Sequence, residues 1–237
     1  MKAAQKLARF VSELKTDDLS PEVLQACSRA LLDTYAVAIA GRNEQASHLA
    51  LAYAKRSAAP LPDFAARYWG NDETLTPELA ALCNGVAGHV LDYDDVTSPM
   101  RGHPSIALFP ALIALAEATD ASGADLACAY VAGFEVICKL TKVFGVQHYA
   151  RGWHSTSTVG TIAAAAACAR LLELNASQTT HAIGLGVSQA AGCRVQFGTH
   201  AKSFQAGLSN ASGLRAALLA REGFEAAAGV LEDTFGY

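Results

Sequence analysis

The chain has 237 residues, 51% of them hydrophobic and only 17% charged. That balance excludes a disordered chain, which needs low hydrophobicity and high net charge. Eighteen Lys and Arg against 22 Asp and Glu leave a net charge of −4, which argues against a nucleic-acid partner, since such proteins carry a basic footprint.

Helix signals dominate from the N-terminus onward, and the spacing predicts a first helix over 2–15. Ser20-Pro21-Glu22 supplies an N-cap, a proline at the first helical position and an acid in the first turn. The apolar run that follows reaches Ala40, and Gly41 stands where a C-cap glycine belongs. A helix over 44–57 comes next, then a loop over 58–75. Thr76-Pro77-Glu78 repeats the earlier start and leads to about Leu91. Further helices are expected at 105–119, at 122–142 behind a capping-box-like Ser122-x-x-Asp125, and at 156–173, 177–190 and 203–222. Period-two alternation of β-branched residues is nearly absent, so no sheet is expected and the fold class is all-α. Alanine supplies 49 residues, a density that lets helices approach closely in a multi-helix bundle. Residues 1–237 are read as one helical domain.

The longest apolar stretches, Ile106–Ala116 and Val159–Ala169, are too short to span a bilayer. The N-terminus has interleaved basic residues, no apolar h-region and no A-x-A site, so a cytoplasmic location without membrane partners is expected. Six cysteines, Cys27, Cys83, Cys128, Cys138, Cys168 and Cys193, form no C-x-x-C pair. They are expected to be buried thiols in helix-like surroundings.

Three segments depart from bland helix. The first runs from His89 through Asp92, Tyr93, Asp94, Asp95, Val96 and Thr97 to Gly102-His103-Pro104-Ser105. Three carboxylates within four residues repel one another, and the end of a helix disfavours negative charge further. An exposed acidic turn is the plain reading. Metal ligation by these acids with His103 is an alternative, although the spacing fits no standard metal motif. The second segment, Gly152-Trp153-His154-Ser155-Thr156-Ser157-Thr158, places four hydroxyl residues at a helix start, where free N–H groups favour anions. In the third, Gly198 to Gly207, Lys202 opposes the dipole of the helix it opens unless an anion lies beside it. If these segments converge, they form a positive pocket with acid–base groups, suited to a small polycarboxylate.

These segments, with Leu32 to Gly41, Asn84 to Asp95, Ala182-Ile183-Gly184-Leu185 and Ser188 to Gly192, carry a resemblance that runs over essentially the whole chain. The chain resembles the MmgE/PrpD family, which includes 2-methylcitrate dehydratase, cis-aconitate decarboxylase and iminodisuccinate epimerase. The resemblance implies a large helical domain, to which residues 1–237 correspond, and a smaller α/β lid domain beyond them. It implies a homodimer, and reactions that use no organic cofactor, no iron–sulfur cluster and no metal. It assigns acid–base roles to Asp92, His103, His154 and Lys202. Asp94, Thr97, Thr156 and Gln205 are expected to contact substrate. Val96 stands where the family often has threonine, Ser155 where proline is common, and Ser203 and Gln205 where proline and histidine are common. The expected activity is a cofactor-independent lyase of the 2-methylcitrate dehydratase type, which takes a proton from the carbon beside a carboxylate and eliminates water. A decarboxylase or epimerase of the same family is the alternative. A third reading is a helical dimerisation domain without catalysis, or one half of an enzyme whose lid is a separate chain.

Overall fold

The computed structural model describes residues 1–57, 59–61 and 63–237. Among them are nine α-helices: α1 Ala3–Glu13, α2 Pro21–Gly41, α3 Gln45–Ser57, α4 Pro77–His89, α5 Phe109–Thr119, α6 Gly123–Ala150, α7 Ser155–Leu171, α8 Ala176–Gln189 and α9 His200–Arg221. The all-α expectation holds in its main point. One correction is needed in the 58–75 loop, whose positions 58 and 62 lie outside the described residues. Strand β1, Ala66–Arg67, pairs antiparallel with β2, Thr74–Leu75. The buried Asn84 of α4 holds this small hairpin. Its side-chain oxygen accepts from the Trp69 N–H at 2.9 Å, and its amide donates to the Arg67 carbonyl at 2.9 Å.

Local signals place most helix starts. Ser20, Thr76 and Ser122 each accept a backbone N–H from the first turn, as expected of N-caps. Three boundaries differ. Asn175, not Ser177, caps α8 and does so in a reciprocal capping box with Gln178. Helix α9 opens at His200, because Thr199 accepts the Ala201 N–H. Helix α6 runs past 142 to Ala150 through a kink at Gly145, whose φ of 58° only glycine adopts readily. Gly41 does not end α2 in a left-handed turn. It lies inside the helix at a close approach, where a Cβ would sit 2.1 Å from the Ala87 carbonyl oxygen of α4.

Helix α7 is the axis of the core. Ala163 to Ala167 are fully buried, and nearly every other residue of the helix is buried too. A helix apolar on all sides belongs at the centre of a bundle. Small residues let its neighbours close in: a Cβ on Gly213 of α9 would fall 2.4 Å from the Ala164 Cβ. Helices α4 and α9 cross in the same way. A Cβ on Gly207 would lie 2.4 Å from the Leu82 carbonyl oxygen. This crossing sets the last turn of α4, with His89, against the first turn of α9, with Lys202.

The cysteine expectation needs correcting. Cys27, Cys83, Cys128 and Cys168 are buried, Cys138 is half-buried and Cys193 is exposed. Cys193 lies in the connection from α8 to α9, where its side chain is exposed.

Candidate active site

The turn after α4, the loop before α5, the start of α7 and the start of α9 meet at one place. Asp92 has a φ of 57°, a left-handed conformation that Asp tolerates better than most residues. The three neighbouring carboxylates do not share one solvated turn. Each has its own partner. Asp92 Oδ1 accepts from the Lys202 ammonium and lies 3.3 Å from His103 Nε2. Asp94 is buried, and its Oδ2 accepts from His89 Nδ1 at 2.8 Å and lies 3.2 Å from His103 Nδ1. Asp95 binds the backbone N–H of Ser105 at 3.1 Å and the Ser105 hydroxyl. That hydroxyl is also 2.8 Å from the Tyr130 hydroxyl.

Lys202 therefore has the anion that its position at a helix N-terminus calls for, and the anion is Asp92. His103 stands two residues before the helix expected at 105–119. It does not open a helix, because Pro104 follows it and biases it towards extended backbone; α5 begins only at Phe109. Its backbone N–H donates to the Thr156 Oγ1 at 3.1 Å, so no free helix-start amide is available there. Asn210 of α9 holds the loop behind it, donating to the Ile106 carbonyl at 2.7 Å while its oxygen accepts from the Ala111 N–H at 3.0 Å.

His154 is the residue immediately before α7. Its Nδ1 lies 2.7 Å from Gln205 Oε1, and the Gln205 amide donates to the Cys193 carbonyl at 3.2 Å. That second bond fixes the glutamine with its oxygen towards the imidazole. His154 thus carries its proton on Nδ1 and presents an unprotonated Nε2. The Phe197 ring stands edge-on to it, with centroids 5.0 Å apart, and Lys202 Nζ lies 5.3 Å from the centroid of the same ring.

The electrostatics separate the two histidines. Burial pushes His154 down to about 4, with the Gln205 hydrogen bond opposing. Burial also acts to lower His103, but its hydrogen bonds and charge interaction with Asp94 outweigh it, and His103 is raised. Burial acts to raise Asp94, yet hydrogen bonds from His103 and His89 hold it well below the usual carboxylate range. Asp92 is also lowered: its burial is overcome by the Lys202 hydrogen bond and charge. Asp95 is raised by burial, against its bonds to Ser105.

Of the eight residues singled out in the sequence, Asp92, Asp94, His103, His154, Lys202, Thr156 and Gln205 fall within this network. The hydrogen bonds of Asp94, Thr156 and Gln205 run to the histidines. Thr97 enters only through its backbone, which bridges Gly102 across the loop. His89 was missed as a site residue. Its ring lies edge-on to His103, with centroids 4.6 Å apart, and stacks on His154 at 5.7 Å. The signal was present, because His89 and Asp94 are five residues apart across a helix end, but only the turn geometry makes them partners.

His89, Asp92, Asp94 and His103 each offer a donor atom within 4.8 Å of the others. The arrangement suits protons better than a divalent cation. Both imidazole Nδ1 atoms face the one Asp94 oxygen, and the Lys202 ammonium already neutralises Asp92.

Residues 5–237 match the MmgE/PrpD N-terminal domain, and the chain belongs to that family. It is 32% identical to human cis-aconitate decarboxylase over 98% of this chain and 49% of that protein. It is 32% identical to the cis-aconitate decarboxylase-like protein oryM of Aspergillus oryzae, covering 98% and 49% respectively, and 31% identical to cis-aconitate decarboxylase of Aspergillus terreus, covering 98% and 48%. The chain spans about half the length of the curated relatives it matches. No described helix is long and apolar enough to cross a membrane.

Proposed function

We propose that this chain carries the acid–base centre of a cofactor-independent lyase that moves a proton at the carbon beside a carboxylate of a small di- or tricarboxylate. The observation that carries the reading is the pair of histidines set around the one buried His89 ring, His103 held by Asp94 and Asp92 and His154 held by Gln205. Groups whose surroundings push them apart in this way divide into base and acid. His154, with a free Nε2 lone pair, is the base. His103, with its Nε2 proton beside Asp92, is the acid. Lys202 is the cation that attracts the substrate carboxylate and stabilises the negative charge that develops when the proton leaves. In a dehydration, His154 takes the proton and His103 protonates the departing hydroxyl, so water is released. In a decarboxylation, the bond to the carboxyl carbon breaks, carbon dioxide leaves, and the electron pair left behind takes the His103 proton.

The relatives are named as cis-aconitate decarboxylases, which favours cis-aconitate as the first substrate to test, with 2-methylcitrate dehydration second. Decisive work uses the protein that contains this chain together with any segment corresponding to the second half of its relatives. Product analysis with cis-aconitate and 2-methylcitrate should show turnover that His103→Ala and His154→Ala each reduce by about a hundredfold or more. Turnover undiminished in both variants would remove the assignment. A homodimer and a cytoplasmic location remain part of the proposal. The exposed Leu32, Leu49 and Tyr53 on α2 and α3 offer apolar surface to a second copy, which sedimentation would detect.

A further inference from the structure

His89 is a titratable side chain of the site with no role in this chemistry. It is 1% exposed. Its Nδ1 donates to Asp94 Oδ2, while its Nε2 is buried without a partner among the described residues. His103 Nδ1 lies 3.2 Å from the same Asp94 oxygen and 3.2 Å from the Asp94 backbone carbonyl, and its Nε2 faces Asp92 Oδ1. The two imidazoles therefore differ at Nε2. A proton on His89 Nε2 would have no acceptor among the described residues, a costly placement for a charged group. A proton on His103 Nε2 has a carboxylate to receive it. Asp94 Oδ1 has no partner among the described residues either, so the carboxylate depends on the two imidazole nitrogens at Oδ2.

We propose that His89 is a positioning residue: a permanently neutral donor that keeps buried Asp94 ionised, so that Asp94 in turn keeps His103 protonated for its role as acid. The inference deepens the lyase reading and rests on it for the word acid, but its structural content stands apart. A buried ion pair survives only when its remaining hydrogen-bonding needs are met. With His89 donating, Asp94 stays a carboxylate and His103 an imidazolium. Without that donor, the proton on His103 Nδ1 returns to Asp94, and the ionic pair becomes a neutral one. The other charged or titratable groups around His103 are Asp92 on the same turn, Lys202 on α9 and His154 at the start of α7. None of them contacts Asp94 Oδ2.

The test is nitrogen-15 NMR of the histidine side chains, which reads each ring nitrogen's proton directly. In the wild-type protein from pH 6 to 8, His89 should show a proton on Nδ1 only, and His103 should be protonated on both nitrogens at pH 7. His89→Phe should leave His103 neutral at pH 7. His89→Asn, which keeps an N–H near Asp94, should restore the imidazolium. Asp94→Asn should also leave His103 neutral. A wild-type His89 that titrates as a cation in this range, or a His103 that stays doubly protonated in His89→Phe, would overturn the proposal. Should His89→Phe not fold, the wild-type tautomer of His89 and the state of His103 in His89→Asn decide the matter. No turnover is needed for this reading. If the protonation pattern is found while no carboxylate is turned over, the lyase reading fails alone. If turnover is found with His103 neutral in the wild-type protein, this inference fails alone.

Discussion

Acidification should unfold this protein partly through one imidazole, His154. Its ordinary value of 6.5 is pushed down to about 4 by burial against α7 and the neighbouring cationic side chains, with Gln205 opposing. Between those two values the unfolded chain binds a proton that the folded chain refuses, so stability falls as pH falls through that window. A gap of about 2.5 pH units at about 1.4 kcal/mol each comes to roughly 3 kcal/mol lost between pH 7 and pH 4. His103 acts with the opposite sign. Its folded value is raised, so its contribution is fully present below 6.5 and is lost only as pH rises through the folded value. It therefore does not contribute to the acid window. The assay is urea unfolding at several pH values for the wild-type protein and His154→Gln. Absolute stabilities will differ, but the wild-type curve should fall by about 3 kcal/mol more than the variant's across the window. The contributions of His89 and Asp94 are common to both proteins and cancel in the comparison. Parallel curves would refute the reasoning, because they would mean that His154 accepts a proton in the folded state at no cost.

Other outcomes follow from the same contacts. Asn210→Leu strands the buried Ile106 carbonyl and Ala111 N–H and should cost about 3 kcal/mol in urea unfolding; a loss under 1 kcal/mol would mean water replaces the amide. Gly207→Ala drives a Cβ into the Leu82 carbonyl and should cost about 2–3 kcal/mol, with thermal unfolding as the check; an unchanged midpoint would show that the crossing of α4 and α9 is not tight. Lys202→Met removes the hydrogen bond and charge that lower Asp92, so the Asp92 carboxyl should titrate at higher pH by carbon-13 NMR, and any lyase turnover should fall about a hundredfold in kcat/KM. Gln205→Leu removes the side-chain acceptor of His154 Nδ1. Its imidazole should then populate both tautomers in nitrogen-15 spectra, and a single retained Nδ1–H form would contradict the role given to Gln205.

Much of this architecture was legible from local chemistry. Ser20, Thr76 and Ser122 announce helix starts because an N-cap acts within three residues of itself. The alanine run from Ala163 to Ala167 announces a helix that others can approach from all sides. The three unusual segments were visible because each violates a local preference: crowded acids, hydroxyls at a helix start, a lysine against a dipole. The small hairpin escaped because strands of two residues carry no periodic signal, and Asn84, which holds them, acts from outside the segment. Gly41 shows the limit of a positional rule. Its place at the end of an apolar run suggested a cap, but its function is to let α2 touch α4.

The sequence by itself determined a helical, alanine-rich fold and the residue types of an acid–base site. The tertiary structure decided which acid serves which partner. The sequence placed Asp92, Asp94 and Asp95 side by side as one charge cluster; the fold sends the first to Lys202, the second to His89 and His103, and the third to Ser105. It also made His89 a member of the site and put His154 and His103 in surroundings that shift their imidazoles in opposite directions. The physical reason is range. Caps and propensities act over a few bonds along the chain, whereas burial and charge depend on whatever side chains the helix crossings bring within a few ångströms. Here that depends on the close contact of Gly207 with α4.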